Sequence, residues 1–383
     1  MAHARMTIGA LAAMAAAAVV ILPAVRPSAQ PAAPAPGQEL AAEDLDNALY
    51  QHVLGTSVSD DARLYSDPVH RDRQFLPSLS GDGQTLIVAV GEGEVGDKGL
   101  EDVLLMEVRS RTWAPMSTGF KAAFVYAGSD RGELYFVTTD HAPNGRVIAV
   151  DPAHPEEKHW RQVVAESSAT LTVSEPVVSV VGHRLLVRTI IDAHSAVTVY
   201  GLDGALLHTI RLPGQGTVRG FAGHAEDSQT HYGYTDPLTP FTVYRYDVNA
   251  NRSTVLLAPK VAFDRAGFVS EQVFYPGMDG TRIPMTLVHR RGLPRRGTAP
   301  VLLYAYGGFG IAELPRFSAD RIAWIERGGI FAVAHIRGGG EYGEAWHRAA
   351  VGEHRQVAFN DFQAAAEWLI EQRYTNSRRL TIQ

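Results

Sequence analysis

Pro300–Tyr306 reads PVLLYAY and runs straight into Gly307-Gly308-Phe309-Gly310. Ile330–Ile336 reads IFAVAHI and runs into Arg337-Gly338-Gly339-Gly340-Glu341-Tyr342-Gly343. Both are near-continuous apolar runs broken by glycine. A strand with one wet face would alternate apolar with polar residues, so these are strands covered on both faces. Between them Ser318 is placed to cap a helix that runs to Arg327 and ends at Gly328-Gly329. A longer helix is expected over Val357–Arg373, where Phe359, Phe362, Ala366 and Leu369 fall at steps of three and four. Leu380–Ile382 begins a third buried strand. Buried strands alternating with helices define a parallel α/β sheet with both faces covered. Just upstream, Gln272–Pro276 and Ile283–His289 flank Met278-Asp279-Gly280-Thr281 as a hairpin.

Before Phe263 the rhythm is different. Short runs rich in β-branched and aromatic residues alternate with Gly/Asp/Asn turns, which is the strand signal. The runs include Thr85–Val90, Val103–Val108, Glu133–Thr138, Arg146–Val150, Arg184–Ile190, Ala196–Leu202, Leu206–Arg211, His231–Thr235 and Thr242–Val248. Asp82-Gly83 and Asp203-Gly204 are hairpin turns by composition. The pattern recurs in units of roughly 40–50 residues, the period of propeller blades. About four such units are present, the lower end of what a closed propeller uses. A β-sandwich or a run of meanders has similar strand spacing.

Composition narrows the function. Of 383 residues, 45% are hydrophobic and 20% charged, ordinary values for a globular protein with room for two domains. The formal net charge of −6 gives no basic excess for a nucleic-acid partner. There is no cysteine, so Cys nucleophiles, Cys zinc sites and disulfide scaffolds are excluded. Residues 1–37 do not read as part of the fold. Arg5, the apolar run Ile8–Leu22, Pro23 and the small pair Ser28-Ala29 have the layout of an export signal, taken as residues 1–29. A retained N-terminal anchor is the alternative. Residues 30–48 form a Pro/Ala-rich linker and lead-in. The expected product is periplasmic or secreted, or membrane-anchored by an uncleaved N-terminus.

Few motifs carry chemistry. Gly338, Gly340 and Gly343 satisfy G-x-G-x-x-G after a strand, and Asp361 lies 18 residues past Gly343, as in a dinucleotide fingerprint. Too little chain follows for the rest of such a fold, and Glu341 would sit beside the phosphates. A glycine-rich strand-to-helix loop is the better reading, and no cofactor is expected. The loop Tyr306-Gly307-Gly308-Phe309 follows the first core parallel strand. In α/β-hydrolases that loop supplies part of the oxyanion hole, and a tyrosine hydroxyl there could donate a hydrogen bond to a developing oxyanion. The alternative is a buried tyrosine bonded to a backbone carbonyl. No serine stands in G-x-S-x-G, and no H-E-x-x-H occurs. His183, His194 and His224 fall in turns and His335 in a strand, so no metal site is expected.

Taken together, these residues resemble the prolyl oligopeptidase family of serine peptidases. The matching stretches are Phe274-Tyr275-Pro276, Asp279-Gly280-Thr281, Ile283-Pro284-Met285, Tyr306-Gly307-Gly308-Phe309 and Ile336–Gly343. Trp346-His347, Asp361-Phe362, Ala365-Ala366-Glu367 and Arg379–Ile382 complete the set. Residues 49–262 resemble the later blades of that family's propeller, best at Tyr50, His52–Thr56, Leu79-Ser80 and Asp82-Gly83. Residues 263–383 resemble the start of its catalytic domain.

The resemblance implies a partial β-propeller of about four blades followed by the N-terminal half of an α/β-hydrolase domain. It implies short, proline-containing peptides as substrates and a monomeric protein, with no nucleic-acid or membrane partner beyond a possible N-terminal anchor. It assigns Tyr306 to oxyanion stabilisation and Phe309 to the neighbourhood of the proline pocket. Gly91 departs from the pattern, standing where better-known members carry a propeller arginine that contacts substrate. The nucleophilic serine is expected about three residues past Gln383, with the acid and histidine later still. Residues 1–383 alone are therefore expected to be inactive, and a non-catalytic, peptide-binding remnant is the alternative reading.

Overall fold

The structure is a computed structural model that describes residues 19–25, 46–92, 100–172 and 177–383. It divides into two compact units, Met1–Pro77 with Val88–Asp97, and Ser78–Ile87 with Lys98–Gln383.

In the first unit, Val19–Val25 pairs antiparallel with Asn47–Val53, which pairs in turn with Ala62–Ser66. Part of the segment expected to stand apart from the fold is thus a strand. Val19, Val20 and Ile21 are β-branched, a residue type that favours extended backbone. Met1–Ile8, the pair Ser28-Ala29 and the Pro/Ala linker lie outside the described residues.

Four four-stranded sheets occur among the described residues, each built from consecutive strands. Three lie wholly in the second unit. The first holds Phe124–Asp130, Glu133–Thr138, Arg146–Val150 and Arg161–Val164; the next Val178–Val181, Arg184–Ile191, His194–Gly201 and Leu206–Thr209. The last holds Thr217–Gly220, Gln229–Asp236, Thr239–Asp247 and Arg252–Leu257. Ahead of them Asp102–Glu107 pairs with Trp113–Ser117.

Period-two alternation makes each strand serve two cores. In Arg184–Ile191, Leu185 and Val187 pack with Tyr135, Val137 and Val147, while Leu186 packs with Val218, Tyr232 and Tyr246 on the other side. Phe136 and Ile148 likewise join Val103, Leu105 and Met116. Consecutive sheets therefore stack face to face, as propeller blades do.

The second unit continues into a mixed sheet. Its order is Phe268–Pro276, Arg282–Arg290, Ile330–Ala334, Val301–Tyr304, Leu380–Ile382. The last three strands are parallel, but the hairpin joins them antiparallel, through Met285–Val288 beside Phe331–Ala334. The sheet is thus not wholly parallel, because the hairpin's two-stranded turn reverses direction before the first crossover. Leu380–Ile382 differs from expectation too. Among the described residues it pairs with Val301–Leu303, and Ile382 is 63% exposed.

Two α-helices flank the central strands. Ala319–Glu326 is the shorter; Ser318 does not cap it, its hydroxyl bonding the Asp320 carboxylate instead. Gln356–Glu371 buries Ala358, Asp361, Ala364, Ala365 and Leu369. Phe359, expected on the inner face, is 56% exposed beneath the Arg355 guanidinium. A buried aspartate occupies the stripe that apolar periodicity assigned to phenylalanine. Among the described residues no helix is long and apolar enough to cross a membrane.

Candidate active site

Val301–Tyr304 ends at the loop that carries Tyr306, and Ile330–Ala334 ends at the loop Arg337–Gly343. The two loops meet through their main chains. Gly310 N donates to the Gly338 carbonyl at 3.1 Å, and His347 Nδ1 donates to the same oxygen at 2.8 Å. A Cβ on Gly338 would fall 2.3 Å from the Gly307 carbonyl oxygen, and one on Gly340 would fall 2.1 Å from that of Gly310. Gly338 also has φ +97°, which disfavours any side chain. These glycines therefore serve close packing of backbone on backbone.

Arg355 completes the frame by donating to the Gly307 carbonyl. On it stand the two residues singled out by resemblance. Tyr306 is 39% exposed and Phe309 85%, with ring centroids 6.4 Å apart. Tyr306 is therefore not the buried tyrosine of the alternative reading. Phe309 has φ +55°, a conformation that costs a non-glycine residue roughly 1–2 kcal/mol. Gly91 ends the strand Thr85–Gly91.

Beneath the loops lies an ion-pair cluster that sequence reading missed. Arg337 donates from Nε to Asp361 Oδ2 at 2.8 Å and from Nη2 to Asp361 Oδ1 at 2.5 Å. Its Nη1 reaches Asp279 Oδ2 at 2.5 Å and Thr281 Oγ1 at 3.2 Å. Asp361 is fully buried. The Arg337 guanidinium holds the Asp279 carboxyl well below the usual carboxylate range. Both Asp361 oxygens are occupied, so that residue is not free to hold a ribose, which removes the dinucleotide reading.

A second buried group pair stands beside it. His335 Nε2 is 2.9 Å from Thr286 Oγ1, and its Nδ1 is 4.0 Å from Glu341 Oε1. Burial lowers the imidazole to about 4 and raises the Glu341 carboxyl to about 8. Burial thus disfavours the charged form of both groups, which argues against an ion pair at 4.0 Å. Glu341 Oε1 accepts the Glu313 N–H at 2.9 Å and so tethers the chain beyond Phe309.

Other titratable groups are held in local pairs. His183 bonds Asp130 at 2.8 Å, and His194 approaches the Asp192 carbonyl at 3.3 Å. Asp140, His141 and Glu157 could together face a metal ion, with ligand atoms within 4.8 Å of one another. Asp140, however, is already paired with Arg146 at 2.9 Å.

The propeller strands and the catalytic sheet are joined inside the second unit. Tyr342 Oη donates to Asp192 Oδ1 at 2.7 Å, and Thr217 Oγ1 donates to the Pro315 carbonyl at 2.6 Å. Stacked four-stranded sheets, a part-parallel sheet and a tyrosine on the first crossover loop define a propeller-bearing α/β-hydrolase-type protein. Comparison with known proteins agrees. The prolyl oligopeptidase N-terminal β-propeller domain matches residues 32–259, and the prolyl oligopeptidase family domain matches residues 315–383. The chain belongs to the prolyl oligopeptidase family.

Its relatives include the prolyl endopeptidase of Elizabethkingia meningoseptica, 34% identical over 91% of this chain and 48% of that protein. Prolyl oligopeptidase A of Galerina marginata is 32% identical over 88% of this chain and 46% of its own. A solved structure from work on two prolyl endopeptidases superposes with TM-score 0.82 at 33% identity, covering 95% of this chain and 51% of that one. Prolyl oligopeptidase B from Galerina marginata, bound to a 35mer hydrolysis and macrocyclization substrate, gives TM-score 0.80 at 26% identity, over 89% of this chain and 48% of that one. The chain spans about half the length of the curated relatives it matches.

Proposed function

We propose that residues 49–383 are the later propeller and the first part of the catalytic domain of a serine peptidase that hydrolyses short, proline-containing peptides. The observation that carries this reading is the placement of Tyr306. It stands half-exposed at the C-terminal end of a parallel strand, on a loop held by main-chain contacts. Ligands of open α/β sheets bind at that edge. In the proposed reaction a serine oxygen attacks the peptide carbonyl while a histidine takes its proton. The Tyr306 hydroxyl and a backbone N–H then hold the oxyanion until the leaving amine is protonated. Phe309 stacks on the proline ring beside it.

The test is the open reading frame that contains codons 1–383. Its product should turn over a chromogenic Gly-Pro peptide and lose activity to a serine-reactive phosphonate. Tyr306→Phe should lower kcat by roughly 100-fold with little change in KM. A frame that supplies no serine elbow, or a product inert to the phosphonate, overturns the proposal. Residues 1–383 contain no G-x-S-x-G, and the polypeptide of that length should not turn over a proline-containing peptide.

Export is part of the same proposal, supported by the signal-like residues 1–29. The mature protein would be periplasmic or secreted, or held at the membrane by an uncleaved N-terminus. N-terminal sequencing of protein from separated cell fractions decides between these. Light scattering on the purified protein tests the expected monomer.

A further inference from the structure

The loop from Ala305 to Ser318 carries fourteen residues with no regular structure between a core strand and a helix. Loops of that length inside a compact domain are usually functional. Its second half walls a cavity of about 480 Å³, within the range of small-ligand sites. The opposite wall comes from the propeller strands Thr217–Gly220, Gln229–Asp236 and Thr239–Asp247. Two hydrogen bonds fix the walls relative to each other. One is Thr217 Oγ1 to the Pro315 carbonyl at 2.6 Å, the other Phe317 N to Thr235 Oγ1 at 3.1 Å.

Three features of the lining point to one ligand chemistry. Phe241 and Ile311 each leave half of their surface exposed, so the cavity offers apolar area to a ligand's main body. Arg219 and Arg316 add two guanidinium groups. Among the described residues no carboxylate pairs with Arg219. Arg316 has only Glu313, at 3.7 Å, well beyond the 2.7–2.9 Å of a strong charge-assisted bond. The lining thus carries one more positive charge than negative. The cavity also adjoins the proposed reaction site, because Gly310 lines it and directly follows Phe309.

We propose that this cavity is a distal subsite for a carboxylate-bearing part of the peptide ligand, read by Arg219 and Arg316. The carboxylate is an acidic side chain or the free C-terminus, and a guanidinium matches either with paired hydrogen bonds. The inference rests on the peptide-binding reading above and adds a charge preference to it.

Fluorescence anisotropy on the full-length product of the reading frame that contains codons 1–383, its elbow serine replaced by alanine, tests the subsite. The probes are labelled proline-containing peptides that differ only in Asp, Asn or Lys at one distal position, each made with a C-terminal acid and a C-terminal amide. The Asp peptide or the free-acid peptide should bind about tenfold tighter than its amide counterpart, and that ratio should shrink with added salt. Which of the two series shows the ratio identifies the source of the carboxylate. Arg219→Gln and Arg316→Gln should bring the ratio close to one, Arg219→Lys should keep most of it, and Arg219→Glu should favour the Lys peptide. Both arginines are exposed, and an unchanged thermal midpoint certifies the variants' fold. Equal binding of all peptides, or a ratio that survives both Gln substitutions, overturns the subsite and leaves peptide binding standing. No binding of any peptide overturns both.

Discussion

Arg337 holds Asp361 by three hydrogen bonds, two from its guanidinium at 2.8 and 2.5 Å and one from its own backbone N–H at 3.2 Å. Asp361 is fully buried, and Tyr275 Oη donates to its backbone carbonyl at 3.0 Å. The pair ties the long helix to the strand that feeds the glycine loop.

Removing one partner of such a pair leaves a charge without compensation. Asp361→Ala should destabilise the second unit by about 3–5 kcal/mol. Asp279→Asn breaks the outer half of the cluster, where the carboxylate is half-exposed, and should cost about 1 kcal/mol or less. Urea denaturation of both variants checks the order. Equal losses would mean that burial does not decide the strength of the cluster.

Glu341 and His335 make stability depend on pH in opposite senses. His335 has a folded value of about 4 against 6.5, so its contribution is complete above pH 6.5 and is lost as pH falls through 4. Glu341 has a folded value of about 8 against 4.5, so its contribution is complete below pH 4.5 and is lost as pH rises through 8. Between pH 6.5 and 8 only the second slope remains of the two. Stability should then fall by up to ~1 kcal/mol per pH unit. Glu101, raised to about 7 by burial, adds the same sign at the lower end of that window. The decisive comparison is therefore wild type against Glu341→Gln, whose urea midpoint should vary less with pH. A wild-type midpoint that rises from pH 6.5 to 8 would show that the pair is ionised.

Gly338→Ala places a Cβ 2.3 Å from the Gly307 oxygen at a positive φ. The two loops must then separate. We expect a loss of roughly 1–3 kcal/mol and faster hydrogen exchange at the Gly310 amide, whose acceptor is the Gly338 carbonyl. Gly328→Ala, also at positive φ but with open space around it, should cost less and leave the Gly310 amide protected.

Arg355→Ala removes the donor to the Gly307 carbonyl and the cation above Phe359. Hydrogen exchange should rise over Gly307–Gly310 while the propeller amides stay unchanged. In the active protein kcat should fall more than KM rises, because Tyr306 would lose its fixed position. Arg355→Lys, which keeps a donor, should restore part of kcat. Equal exchange in wild type and Arg355→Ala would assign that arginine to surface packing alone.

Much of this architecture is legible in local sequence. Glu133–Thr138 and Arg146–Val150 occur where strand composition puts them, paired as expected. The glycine loops end the two core strands as read. What periodicity could not show is a polar residue in an apolar stripe. Asp361 is buried because Arg337 neutralises it, and that partner lies in another element, so Phe359 was assigned its place. The same limit hid the cavity, since Arg219 lies on the strand Thr217–Gly220 and Arg316 on the loop ahead of the helix Ala319–Glu326, and the two come together only through tertiary packing. The Gly-Gly-Gly run after a strand is the available signal for close loop packing, and a glycine-rich strand-to-helix loop is the reading preferred over a dinucleotide fingerprint.

The contact between the two glycine loops has an evolutionary consequence. Tyr306 is placed by main-chain contacts between the two loops and by Arg355 and His347 from outside its own segment, while Phe309, Ile311 and Arg316 project from that segment without holding it in shape. Those side chains can be exchanged while the tyrosine keeps its position. New ligand preferences can therefore arise by single substitutions along one loop, on a frame that descendants inherit unaltered.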